Sequence, residues 1–194
     1  VNLVLITPPA TEPLTTLEAG LHLRVEPLSE DDPYIDALIT AARQHVEQHL
    51  GRALVTQTWE AVLDEFPEGD EIRLSKGALQ SVTSVTYLDS AGAQQTLATS
   101  EYQVDTASVP GRIVLAPSES WPDTDSDRVN AVRVRFVAGY GAASAVPQPI
   151  KAAMLLLIGH LYEHREEEVV GTITSRFSFA TDALLSPYRI LSFG

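Results

Sequence analysis

The chain of 194 residues has no cysteine and a single methionine. Without cysteine there is no disulfide framework, no thiolate nucleophile and no cysteine-ligated metal, and nothing in the composition calls for an oxidising compartment. Basic residues are also scarce: 13 Lys and Arg stand against 26 Asp and Glu, a net charge of −13. A dedicated grip on duplex DNA needs clustered Lys and Arg to displace phosphate counterions, and here the basic residues are scattered. The acidic excess instead suits a surface that does not adhere to polyanions. Long apolar runs are missing too. The run Leu3 to Ile6 has no basic segment before it and does not read as a signal peptide. The block Ala152 to Gly159 falls short of the roughly 20 residues that span a bilayer. The expected location is the cytoplasm of the producing cell, or a particle assembled there, without membrane association. Phosphate-cradling and nucleophile motifs are absent as well: there is no G-x-G-x-x-G, no P-loop and no G-x-S-x-G elbow.

What remains is ordinary globular composition, 44% hydrophobic and 20% charged, with a clear change of period along the chain. Residues 1–13 carry Pro8, Pro9 and Pro13 and read as an extended leader. Leu14 to Val25 predicts a short helix capped by Thr15 or Thr16, with Leu17, Leu21 and Leu23 pointing inward. The next stretch predicts the clearest helix, capped by Ser29 or a following aspartate. Ile35, Leu38, Ile39, Ala42, Val46 and Leu50 form its stripe, and Gly51 ends it.

After Gly51 the period falls from 3.6 to 2. Strands are expected over 55–66, 71–74, 80–88, 94–97, 102–104, 112–115 and 130–138, with a hairpin at Asp89-Ser90-Ala91-Gly92. In the last of these, Val132, Val134 and Phe136 occupy one face and Arg133 and Arg135 the other. A final helix is expected from about Pro149 to Glu168. Ile150, Met154, Leu157, Ile158, Leu161 and Tyr162 lie at helical spacing, and the Met154–Ile158 block is expected to be fully buried.

The fold expected is α+β: a small α-helical core from the N- and C-terminal helices (14–54 plus 146–170), an inserted antiparallel β-domain (55–141), and an extended C-terminal tail (171–194). The tail is rich in apolar residues, which must bury in the chain's own core or in a neighbour.

Few residues suggest chemistry. His160, Glu163 and His164 match H-x-x-E-H, in which two histidines on one helical face bind zinc and the glutamate acts as base. Little chain follows to supply a further ligand or a cleft, so they are weak metal candidates beside the plainer reading of a wet helix face or subunit contact. His45 and His49 are also four apart, with no third ligand evident. Arg133 and Arg135 are expected to meet carboxylates rather than phosphate. Trp59 and Trp121 read as core and loop anchors. No catalytic residue, metal or cofactor is assigned, and the balance favours an interaction or structural protein over an enzyme.

A series of words in order then carries a resemblance: YIDALITAARQHVEQHLGRALVTQTW, LQSVTSVTYLDSAG, EYQVD, PGRIVLAPSESWP, VRVRFVAGYG, VPQPIKAAMLLLIGHLYEHREEEV and LLSPYRI. Over about Leu14 to Ile190 the chain resembles the head–tail connector (adaptor) proteins of long-tailed bacteriophages and gene transfer agents. The resemblance implies helices with an inserted β-domain and a ring of about twelve copies beneath the portal. It also implies a channel for passing DNA, no enzymatic activity, and residence in the neck of a virion or gene transfer particle. The implied partners are the portal protein, stopper or tail-completion proteins, and further copies of the chain. In that setting the tail is expected to dock on the portal through Phe177, Phe179, Leu184, Leu185, Tyr188, Ile190 and Phe193. Neighbouring copies are expected to meet at Val46, Leu50, Leu161, His164 and Arg165. A stopper-like neck component and, far behind, an H-x-x-E-H zinc hydrolase are the alternatives.

Overall fold

A computed structural model describes residues 1–26, 30–125, 127–164 and 179–190, with Phe179 described by its backbone alone. The described residues contain four α-helices and two antiparallel sheets of eight strands, an α+β fold. They divide into two compact units. One comprises Val1–Ala10 with Thr56–Tyr140, the other Thr11–Val55 with the chain from Gly141 onward.

In the β-unit, the strands are β1 (Asn2–Thr7), β2 (Gln57–Leu63), β3 (Glu71–Leu74), β4 (Leu79–Leu88), β5 (Gln94–Thr96), β6 (Tyr102–Asp105), β7 (Gly111–Leu115) and β8 (Val132–Ala138). One sheet runs β1-β2-β8-β4-β5 and the other β3-β7-β6. The first strand is a finding, because the proline-rich opening read as a leader. Its backbone pairs with β2, Leu3 opposite Ala61 and Leu5 opposite Trp59. The prolines lie beyond the strand, where they remove no ladder hydrogen bond.

The period-2 pattern of β8 is realised in full. Val132, Val134 and Phe136 are wholly buried, together with Ala61 and Val85 of the flanking strands. On the opposite face Glu60 accepts from Arg133 Nη1 at 2.9 Å and from Arg135 Nη2 at 2.8 Å. The expected arginine partners are thus carboxylate oxygens of the same chain. Burial alone would raise the Glu60 pKa, but the two guanidinium hydrogen bonds outweigh it and hold it below the ordinary glutamate value.

Gly111 of β7 lies hard against Leu79 of β4. A Cβ there would lie 2.4 Å from Leu79 Cβ, so only glycine admits the neighbouring strand. Trp121 is a loop anchor: its indole donates to the Gly69 carbonyl at 2.8 Å, and its ring stacks on Phe66 with centroids 4.9 Å apart. Trp59 is half-buried in β2 with the Lys76 ammonium 4.7 Å above its ring.

The helical unit holds α1 (Thr16–Leu23), α2 (Asp32–Leu50), α3 (Gln148–Glu163) and α4 (Phe179–Leu185). Thr15 and Glu18 form a reciprocal capping box on α1. Gly51 closes α2 at φ 67°, a left-handed conformation that glycine adopts without strain. The whole α2 stripe is buried, packed with Ile150, Ala153, Met154 and Ile158 of α3 and with Leu185 of α4 in the core. Two expectations fail here. In α3, Leu156 is exposed and Leu155 and Leu157 are only half-buried, because a helix at the margin of a small core turns one side to solvent. In α1, Leu17 and Leu21 are 56% and 65% exposed. The short helix packs through Ala19, which lets it lie close and turns the leucines outward.

A buried ionic group ties this unit together. Arg43 donates to Glu12 at 2.7 Å and to Glu47 at 2.9 Å, and the other Glu47 oxygen accepts from the Leu54 amide at 2.8 Å. Arg43 and Glu47 are both buried, so each charge depends on the other for the solvation that water no longer gives.

Three stability tests follow. Arg43→Ala leaves Glu47 charged and buried beside Glu12, and should lower the unfolding free energy in urea by about 3–5 kcal/mol. Gly111→Ala should destabilise by about 1–3 kcal/mol, because Leu79 must move. Glu60→Gln should cost about 1 kcal/mol at pH 7, since the arginines are half-exposed. With its folded pKa lowered, Glu60 contributes in full above the ordinary glutamate value and loses that contribution as pH falls through the lowered one. The gap between wild type and Glu60→Gln should therefore close in acid unfolding curves.

Candidate functional site

Among the described residues no set converges on a reacting centre. His160 and His164 stand at the exposed C-terminal end of α3 with ring centroids 4.6 Å apart, and His164 Nδ1 donates to the His160 carbonyl at 2.9 Å. The rings face each other and the peptide backbone rather than a common metal position, and Glu163 is exposed beside them. Among the described residues no group of three His, Asp or Glu is placed to hold a metal ion. His49 lies on α2 with Nε2 3.5 Å from Asp182 of α4. Burial, and then the Arg189 and His45 charges, outweigh Asp182 and lower its pKa, so it stays predominantly neutral near pH 7.

The surfaces are more informative. The C-terminal residues expected to dock on a partner divide by burial. Leu185 is wholly buried in its own helical unit. It gets there because α4 packs on α3 and the segment after α4 is tied to the end of α2. The Ile190 amide donates to the Leu50 carbonyl at 2.9 Å, Arg52 Nε donates to the Tyr188 carbonyl, and Thr181 is buried. Leu184, Tyr188 and Ile190 stay half-buried. Phe177, Phe193 and the side chain of Phe179 lie outside the described residues.

Of the residues expected at subunit contacts, Val46 and Leu50 are fully buried within the helical unit, where α2 packs on α3. Leu161 is half-buried and His164 exposed at the end of α3, while Arg165 lies outside the described residues.

The exposed apolar residues lie elsewhere. Leu17, Gly20, Leu21 and Val25 line a groove of about 480 Å³ rimmed by Glu26 and Asp32. In the β-unit, Val4, Leu5 and Ile6 of β1 are 40–43% exposed and Val104 of β6 is 39% exposed. Sequence pattern alone missed these positions, since an apolar residue at the right period reads as core. The available signals were Ala19 and Gly20, which let α1 pack through small residues, and the lack of any charge in residues 1–10. No helix among the described residues is long and apolar enough to cross a membrane.

Comparison with known proteins places the fold. The structure is similar to a chain in the neck of an empty gene transfer agent (GTA) particle computed with C6 symmetry. The TM-score is 0.82 at 23% identity, over 99% of this chain and 97% of that one. It is similar to a chain in the virion of a native GTA particle, with TM-score 0.81 at 22% identity and the same coverage. A chain in the neck of a native GTA particle computed with C12 symmetry matches with TM-score 0.79 at 22% identity, again over 99% and 97%. No curated protein matches the sequence. The family model described as "Head completion protein" matches residues 21–191, and the chain therefore belongs to the head completion protein family.

Proposed function

We propose that this chain is a structural component of the neck that joins head to tail in a phage virion or gene transfer agent particle. In this reading it is the adaptor: a ring of about twelve copies beneath the portal, continuing the channel through which DNA leaves. One observation carries the reading. The similarity of fold to neck chains extends over 99% of this chain and 97% of theirs, so both units share in it. Family membership over residues 21–191 supports the same conclusion. The C6 and C12 symmetries of the related necks support a closed ring.

The charge fits the role. A net charge of −13 around a channel repels the DNA backbone, so DNA slides past as cargo without being bound. The role is mechanical, and it requires no reacting centre, cofactor or metal. Within this reading the half-buried Leu184, Tyr188 and Ile190 form the described part of the portal-facing tail, and Leu161 and His164 at the end of α3 face the next copy. The family description fits a stopper-like ring further from the portal equally well, and that is the second reading.

Electron microscopy of particles assembled with and without this chain tests the proposal. Loss of the protein should give DNA-filled heads without tails, and tailed particles should show its density as a ring in direct contact with the portal. A ring one level away from the portal would favour the stopper reading. Normally tailed particles lacking the protein would refute both.

A further inference from the structure

Two copies of so acidic a chain repel one another, so contacts between copies belong where charge is absent. A ring joined head to tail also needs two different surfaces on each copy. We propose, resting on the ring reading above, that the open edge of β1 on one copy pairs with the open edge of β6 on the next, joining their sheets across the subunit boundary.

β1 is the end strand of its sheet and is hydrogen-bonded on one side alone, to β2. The outer edge presents unpaired backbone N–H and C=O groups. Proteins usually blunt such an edge with charge, proline or brevity. β1 is six residues long, NLVLIT, with no charge and no proline inside it, and its register with β2 runs unbroken from Asn2 to Leu5 before a bulge at Ile6. Its side chains Val4, Leu5 and Ile6 are 40–43% exposed, and up to the bulge successive residues alternate between the two faces of the sheet. An open backbone edge flanked by apolar side chains is satisfied by an added strand.

The same unit offers three other edges. β5 has three residues, all polar and exposed. β3 carries Glu71 and the well-exposed Arg73, which are paired with each other. β6, of sequence YQVD, presents Gln103 and a 39% exposed Val104. Its one charge, Asp105, is already engaged. It accepts from Ser108 Oγ at 2.6 Å and from Arg112 Nε at 3.0 Å, and Arg112 also donates to Glu71 at 2.8 Å. β6 is therefore the edge in this unit that combines an exposed apolar side chain with no unpaired charge. Joining β1 to β6 brings two such edges together, satisfies backbone groups on both, and covers β1 side chains with Val104.

The absence of cysteine makes the contact directly testable. Residues facing each other across an antiparallel ladder have Cβ atoms about 4.5–5.5 Å apart, and a small shift brings introduced cysteines to disulfide distance. The variant Leu5→Cys/Val104→Cys is assembled into particles, which are purified, mildly oxidised and run on a non-reducing denaturing gel. The expected result is a ladder of covalent multimers that collapses on reduction, with each single variant remaining monomeric. Incorporated protein that stays monomeric overturns the proposal, and so does dimer formation by Leu5→Cys alone, which would signify β1 meeting β1. As a second readout, Leu5→Lys should keep the wild-type Tm yet be lost from particles, and its incorporation at the wild-type level also overturns the pairing. If wild-type protein itself is missing from tailed particles, the neck reading fails rather than this contact.

Discussion

The helical unit depends on the burial of α2. Nineteen residues of helix receive α1 and α3, with α4 packed in turn on α3, and Glu12 and Leu54 bind to its polar side through Arg43 and Glu47. Burying that side forces the charges to satisfy one another. The arginine bridges two carboxylates, and one of those carboxylates then fixes the chain as it leaves the helix. Segments far apart in sequence, before α1, after α2 and at the C-terminal end, are thereby held on one element. Residues 181–190 are held on the same unit: Leu185 is buried in it, and the backbone of Tyr188 and Ile190 is tied to Arg52 and Leu50.

The β-unit obeys a different rule. Its central strand β8 alternates buried Val and Phe with Arg, and both arginines pair with the one carboxylate of Glu60. The second sheet uses a related device. Arg112 of β7 sits between Glu71 of β3 and Asp105 of β6 and pairs charge across three strands.

In the proposed reading a neck component binds on several sides. That demand accounts for the leftover features: exposed leucines on α1 and an uncharged apolar edge strand. Read singly, H-x-x-E-H invites a metal and an apolar tail invites a free arm. In the structure the two histidines lie at the exposed end of α3, and Leu185 is buried in the helical unit.

Much of this was legible in the sequence. The α2 stripe from Ile35 to Leu50, the Gly51 stop, the β8 alternation and the hairpin at Asp89 were all set by local periodicity and turn chemistry, and the tertiary structure changes none of them. The family resemblance was carried by the order of such elements. Sequence did not reveal which apolar residues stay outside. Leu17 and Leu21 share a helical face and Leu156 sits in an apolar block, yet small partners such as Ala19 and the limited width of the core decide their exposure. Likewise Leu185, Val46 and Leu50 looked available for neighbours until packing closed over them, and residues 2–7 looked like a leader until β2 offered an edge. The physical reason is the same in each case. Period and capping are properties of a few consecutive residues, whereas burial is decided by what the rest of the chain brings alongside.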